Sequence, residues 1–457
     1  MGGATISARV IFSEGTMPDW LKRISLSYVL ISTILGIGLL LLILVFIYPI
    51  PGLPNREAAT RLYFADNISE AHRLLIERFN REYSGRIEVV PINLPFTKFS
   101  TNERKVLLAR SLRSRNDQID VFAVDLIWVP RFARWAEPLD MFFGPEPFGD
   151  ILPEALASCY HNDRVVAMPL YIDVGVLYYR RDLLERFPDP AGLEARLQAS
   201  ITWEELISLR ESEPDADFPL YLFPAKNYEG LMCSFVELLH GRNGSMFAGD
   251  SVQLNTAAAR ESLQLLSDLV NRYGVTPRAV TEYEEIDCYN FILDRKSLAV
   301  RGWPGFIRQF DQAGRSEVFP LLRRAPLPHF EGTEPASVFG GWNLMISKYS
   351  KKKPAAREFI SFLLRPDNQR LLFDRGGYIP VNRRAYADST FMARYPELRF
   401  YRRILDQGIH RPYTVDYTQI SDVVSYYLHQ AIKGNMTVDA ALATATEHIN
   451  ANKVILR

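Results

Sequence analysis

Between Arg23 and Arg56 the chain carries no charged residue, and Tyr28 to Tyr48 (YVLISTILGIGLLLLILVFIY) is almost wholly apolar. As an α-helix rising about 1.5 Å per residue, such a run covers roughly 31 Å, the hydrocarbon depth of a bilayer. It has no polar face, which argues against a helix buried in a soluble core. Tyrosines stand at both ends, where aromatic belts form, and Pro49, Pro51, Gly52 and Pro54 end the helix sharply. The stretch exceeds the apolar core of a secretory signal, and no A-x-A-like cleavage pattern follows it. No cysteine follows either, which excludes a lipid anchor on that residue. Lys22 and Arg23 abut the leading end, and the positive-inside rule then makes 1–23 a cytoplasmic tail. The expectation is a single-pass anchor over 24–50 in the cytoplasmic membrane, a Pro-rich linker over 51–59, and an extracytoplasmic remainder.

That remainder is longer than one hydrophobic core usually organises, so two lobes are expected. Its start alternates strand-like and helix-like segments: a strand at 61–65, an amphipathic helix over 68–83, a strand at 87–91, a helix over 102–113 and a strand at 119–124. This order predicts an α/β lobe with a largely parallel sheet, whose ligands bind at the carboxyl ends of the strands. Asp66, Asn67 and Asp125 fall on that edge. Further helices are predicted near 203–211, 228–239, 256–273, 355–364, 368–374, 420–432 and 438–451. Pro354 opens one of them and Gly376-Gly377 closes the next.

Charge and motif content remove several classes of function. Lys+Arg and Asp+Glu both number 53, which leaves no basic excess for nucleic acid. The three cysteines, Cys159, Cys233 and Cys288, fit no CxxC spacing and read as buried small hydrophobes. One disulfide stays open in an oxidising compartment. The histidines form no HExxH or HxH, and the chain has no GxSxG, GxxxxGK[ST] or GxGxxG. No metal, cofactor or catalytic group is expected. The adjacent acids Glu284 and Glu285 read as a solvated turn rather than as a hydrolase pair.

Segments that set an aromatic ring beside a polar group at turns or strand ends carry the positive signal. They are Asp125-Leu-Ile-Trp128, Tyr171-Ile-Asp173, Arg301-Gly-Trp303 and Gly340-Gly-Trp342-Asn343. A carbohydrate needs both halves, because its C–H face stacks on rings while its hydroxyls are fixed by carboxylates and amides.

From about Arg61 to Lys453 the chain resembles the extracellular solute-binding proteins of family 1, the maltose, trehalose and multiple-sugar group. The resemblance rests on IDVFAVDLIWVPRFARWAEPLD (119–140), VVAMPLYIDVGVLYYRRDLLERF (165–187), LAVRGWPGF (298–306) and FGGWNLMISKYSKKKPAAREFISFLLRPDNQRLLFDRGGYIPVNRRAY (339–386). HRPYTVDYTQISDVV (410–424) and GNMTVDAALATATEHIN (434–450) follow in the same order. It implies a two-lobed periplasmic binding protein type II fold with an interlobe ligand cleft, lobe 1 holding 60–168 and 322–367, lobe 2 holding 169–321 and 368–457. It also implies a monomer that hands a small carbohydrate to the permease and ATPase subunits of an ABC importer. Asp125 and Asp173 match hydroxyl acceptors, Tyr171 a stacking ring, and Trp303 and Trp342 the tryptophans that floor and flank the sugar. Trp128 lies in the segment of Asp125, and Gly341 lets the backbone approach beside Trp342. Arg411 matches a late donor, and Asp66 and Asn67 the first loop that reaches the ligand. The rival expectations are a binder of a peptide or polyamine, a binder coupled to a sensor, and a carbohydrate-active enzyme.

Overall fold

From Thr60 onward the predicted alternation builds layered α/β structure. The computed structural model describes residues 19–47, 59–96, 98–115, 117–143, 148–212, 217–294, 297–311 and 317–455. Strand β1 (Thr60–Asp66), helix Glu70–Glu82, β2 (Ile87–Asn93), helix Thr101–Arg113 and β3 (Val121–Asp125) follow one another. β1 pairs in parallel with both β2 and β3. Ser69 caps the first helix through its side chain, and Ser100 with Glu103 forms a capping box on the second. Local sequence thereby fixes where each strand stops, leaving Asp66 and Asp125 at the carboxyl edge.

Strands β4 (Met168–Val174) and β5 (Val176–Arg180) are separated only by Gly175, yet they belong to different sheets. β5 pairs antiparallel with β7 (Ala299–Gly302) and β8 (Leu322–Ala325), and β6 (Tyr221–Leu222) completes this second sheet in parallel with β7. A Cβ on Gly175 would lie 2.3 Å from Glu237 Oε1, so a side chain where the chain crosses between sheets would have to displace the Glu237 carboxylate that Arg301 holds. The second crossing leads from β8 into β9 (Ser337–Ile346), in which every residue is buried. β9 lies antiparallel to β3 on one edge and to β4 on the other, and its first residues pair in parallel with β10 (Gly408–Ile409). The expected parallel arrangement therefore holds for β1, β2 and β3, and β9, which enters from the second sheet, runs against both β3 and β4.

Strand β8 falls inside the stretch that the resemblance gives to lobe 1, but it is hydrogen-bonded in the second sheet. Helix Pro366–Gly376 packs on helix Glu70–Glu82, and its Gln369 donates to Leu170 O at 3.0 Å, so it is fastened to the first sheet. Helices Glu229–Gly241, Ala257–Asn271, Tyr417–Ile432 and Val438–Ile455 pack on one another. Helix Glu285–Asp294 begins within the segment read as a solvated turn: Glu284 and Glu285 are both half-buried, and Glu285 accepts from Tyr228 OH. All three cysteines are buried and unpaired.

Residues Met1–Ala58 and Ala59–Arg457 are two separate units. In the first, one helix of 29 residues runs over Asp19–Ile47. Its side chains are described over 27–41 and are all exposed. Among the described residues no helix is long and apolar enough to cross a membrane. The expected tail up to residue 18 and the linker up to residue 58 lie outside the described residues.

Candidate functional site

The ends of β1 and β3, the middle of β9 and the crossing at β4 converge on one place. Trp342 of β9 pairs in register with Asp125 of β3 and Tyr171 of β4, and Gly340 pairs with Asp173. A Cβ on Gly340 would lie 2.8 Å from Trp303 Cζ3 and 3.3 Å from Asp173 Cβ. The missing side chain thus lets the Trp303 ring, which follows β7 of the second sheet, come in beside Asp173. Gly341 has φ +130, and a Cβ there would lie 2.6 Å from Tyr171 O. Glycine at 341 is required by the close approach of β9 to β4.

Each aromatic group has a fixed support. The Arg104 guanidinium lies between the Phe96 ring at 4.1 Å and the Trp342 ring at 4.0 Å and donates to Asp66 Oδ1 at 3.1 Å. Trp342 also meets Trp128 edge to face at 5.3 Å, and Trp128 in turn stacks on Phe132. Trp128, at 2% exposure, is a buried buttress beneath Trp342. Arg301 sits 3.9 Å over the Trp303 ring while holding Glu237 at 2.9 Å. Trp303 Nε1 donates to Glu285 Oε1 at 3.4 Å, and Tyr289 OH accepts from Trp303 N at 2.9 Å.

Carboxylates here are mostly neutralised by arginine. Arg411 donates to Glu229 Oε1 at 2.7 Å, to Asp125 Oδ1 at 3.1 Å and to Phe339 O at 3.4 Å. Glu229 also accepts from Tyr417 OH at 2.9 Å and from Ser421 Oγ. Both terminal nitrogens of Arg411, expected to serve a ligand, are therefore occupied by acids, one at the end of β3 and one in helix Glu229–Gly241. Asp66 pairs with Arg104 and lies near His72, whose Nδ1 is bonded to Ser69 Oγ at 2.7 Å. Burial pushes the His72 imidazole below its ordinary value against the opposing charge of Asp66.

Asp173 is the exception. It is partly exposed, no cation pairs with it among the described residues, and its Oδ1 has no hydrogen-bond partner. Burial, and then the charge of Asp125, push its carboxyl well above the usual carboxylate range. Asp66 Oδ2, His72 Nε2, Arg104 Nε and Nη1, Arg301 Nη1 and Arg411 Nε also lack partners. Asp66 Oδ2 and His72 Nε2 face each other at 3.5 Å, and the remaining atoms keep capacity for further hydrogen bonds.

All the sequence-predicted residues are linked through these contacts. Asn67 joins through Oδ1, which accepts from Phe96 N at 3.3 Å, and Tyr171 through its ring against Tyr378 at 4.4 Å. Asn67, Asp173 and Trp303 keep accessible surface, whereas Asp66, Asp125, Trp128, Tyr171, Gly341, Trp342 and Arg411 are packed behind them. Sequence reasoning missed Arg104, Glu229, Glu237 and Glu285. Arg104 sits on the apolar stripe of Leu108 and Leu112, and Glu229 and Glu237 sit in an otherwise apolar helix; charges in such positions are the available signal. Among the described residues no cluster of side chains suits a metal ion.

A two-lobed α/β fold, with aromatic and acidic groups gathered where strands cross between sheets, defines a ligand-binding class of protein. Residues 65–370 match the bacterial extracellular solute-binding proteins, and the chain belongs to that family. A Deinococcus radiodurans protein named "Probable ABC transporter-binding protein" is 26% identical over 75% of this chain and 82% of its own length. The mannitol-binding protein of Pseudomonas aeruginosa is 22% identical over 78% of this chain and 85% of its own. Among solved structures, maltose-bound MalE3 of T. maritima superposes with a TM-score of 0.77 and 28% identity, covering 86% of this chain and 99% of that one. The chain is a solute-binding protein of the ABC importer type. Its family and these relatives are binding proteins rather than enzymes, and the family is extracellular by description.

Proposed function

We propose that this protein is a membrane-anchored, extracytoplasmic receptor that captures a neutral mono- or oligosaccharide of the trehalose or maltose kind and presents it to an ABC permease. Lobes hinged at Gly175 and at the β8–β9 crossing close around the sugar, with the proposed contacts on Asn67, Asp173 and Trp303 in front and Asp66, Asp125, Tyr171, Gly341, Trp342 and Arg411 behind. The observation that carries this reading is Asp173 beside the accessible Trp303 ring, one unpaired acceptor next to one apolar platform. The other acids are already held by Arg104, Arg301 and Arg411. A site so neutralised suits hydroxyls better than a polyamine. Closure follows because a ligand touching both lobes favours the state in which both are in reach. Relatives whose names carry maltose and mannitol support the same ligand class.

The support for the anchor is the sequence itself: the uncharged run from Tyr28 to Tyr48, taken as a helix rising about 1.5 Å per residue, would cover roughly the depth of a bilayer and keep the lobes near their transporter. Titration calorimetry of the full chain in detergent with maltose, trehalose, mannitol, a peptide and a polyamine tests the reading. One sugar binding at one-to-one stoichiometry without turnover supports it. Binding confined to the peptide or polyamine refutes the ligand class, and heat that continues as product forms refutes the receptor role. Membrane fractions that release the chain on alkaline washing would refute the anchor.

A further inference from the structure

A concavity lies apart from the candidate site. It is a groove of about 670 Å³ lined by Arg383, Arg399, Arg402, Arg403, Tyr386 and Met392, with Leu152, Pro153 and the Arg402-paired Asp406 also at its wall. Helix Glu397–Leu405 forms its floor. The inner face of this helix, Leu398, Tyr401, Ile404 and Leu405, is buried, and Tyr401 OH accepts from Arg324 Nε of β8 at 2.7 Å. Its outer face presents Arg399, Arg402 and Arg403, separated by three and four positions and so side by side.

Like charges at that spacing destabilise a helix unless something neutralises them. The nearby acids do not suffice. Glu154 and Asp406 are both taken by Arg402. Arg383 donates to Ile151 O at 3.2 Å, a carbonyl that leaves its charge uncompensated. Among the described residues neither Arg399 nor Arg403 has an acidic partner, and both are exposed. Three guanidinium groups without carboxylates thus surround a hollow too large for a bare ion, with the Tyr386 ring and Met392 offering an apolar wall.

We propose that this groove is a second binding site, distinct from the cleft, for a small soluble phosphate monoester. The dianion is held by Arg399 and Arg403 with Arg383 opposite, and its organic part lies against Tyr386 and Met392. Guanidinium forks match phosphate oxygens bidentately, and a dianion answers more than one uncompensated cation where a carboxylate answers one. The concave shape suits a soluble molecule rather than the flat face of a bilayer. Because Tyr401 ties the same helix to β8, which leads into the second crossing, an occupied groove stiffens the hinge.

Calorimetric titration of the full chain in detergent with glucose 6-phosphate, inorganic phosphate and short-chain phosphatidylglycerol tests the proposal, using the parent and an R399Q/R403Q variant. Saturable binding of glucose 6-phosphate that weakens about tenfold or more in the variant is expected, together with loss of affinity as salt rises. A thermal unfolding midpoint in the variant no lower than the parent's verifies that its fold is intact. Equal affinity in parent and variant, or no saturable binding of the phosphate ester, overturns the proposal. Binding of phosphatidylglycerol without glucose 6-phosphate also overturns it, in favour of a lipid contact.

Discussion

The Arg411 guanidinium lies 3.1 Å from Asp125 Oδ1, at the carboxyl end of β3, while its other terminal nitrogen lies 2.7 Å from Glu229 in helix Glu229–Gly241. One side chain therefore balances two acids from distant elements. Arg411 is 2% exposed, so each member depends on the others for its solvation.

Removing Arg411 strands two carboxylates. Arg411→Ala is expected to cost about 3–5 kcal/mol of stability in urea unfolding. Arg411→Lys recovers only part of this, because an ammonium cannot span both acids as a fork does. A loss in Arg411→Ala no larger than that of a surface substitution would mean that water replaces the guanidinium.

Asp173→Ala and Trp303→Ala remove the acceptor and the platform. Each is expected to weaken sugar binding by at least about tenfold while unfolding stays cooperative. Variants that bind as tightly as the parent would exclude this pair from the site.

Asp173 also predicts a pH dependence. Its carboxyl is pushed up by burial and then by Asp125, so the folded chain holds the proton more tightly than the unfolded chain. The resulting stability is fully present below the unfolded value of about 4 and is lost as pH rises through the folded value. Asp173→Asn removes the dependence, so its unfolding midpoint exceeds the parent's at neutral pH and the gap closes on acidification below about 4. A gap constant with pH would contradict the protonation shift.

Gly341→Ala forces a Cβ to within 2.6 Å of Tyr171 O at φ +130. Backbone cannot yield as a side-chain tip can, and a cost of at least about 1–3 kcal/mol is expected from the strained conformation alone. Thermal unfolding of the variant measures it, and an unchanged midpoint would show that β9 and β4 separate without penalty.

Lys105 Nζ meets Asp422 at 3.1 Å, joining helix Thr101–Arg113 to helix Tyr417–Ile432. Asp422 is 48% exposed, so the pair contributes on the order of 0–1 kcal/mol. Asp422→Ala is expected to lower sugar affinity by less than about fivefold, with the difference vanishing at high salt. A larger, salt-independent loss would assign Asp422 to the ligand contacts.

The predicted strands and helices recur with ends displaced by a few residues, because capping residues such as Ser69, Ser100 and Pro366 and the apolar periodicity are local signals. Glu285 illustrates the converse. Two adjacent acids look solvated in one dimension, but helix Glu285–Asp294 turns the second toward Trp303 Nε1 at 3.4 Å. Trp128, grouped with Asp125 in sequence, could equally be core or ligand contact there, and in the fold Phe132 and Trp342 pack against it.

Local sequence by itself determined the apolar run from Tyr28 to Tyr48, the α/β alternation, and the residue types that gather where strands end. Which of them touch was decided by tertiary structure. Arg411 reaches Asp125 across 286 positions and Glu229 across 182, and Arg104 reaches Asp66 across 38. Such pairings depend on how crossing strands bring distant segments to one place, and a buried charge finds its partner by that proximity rather than by any spacing along the chain.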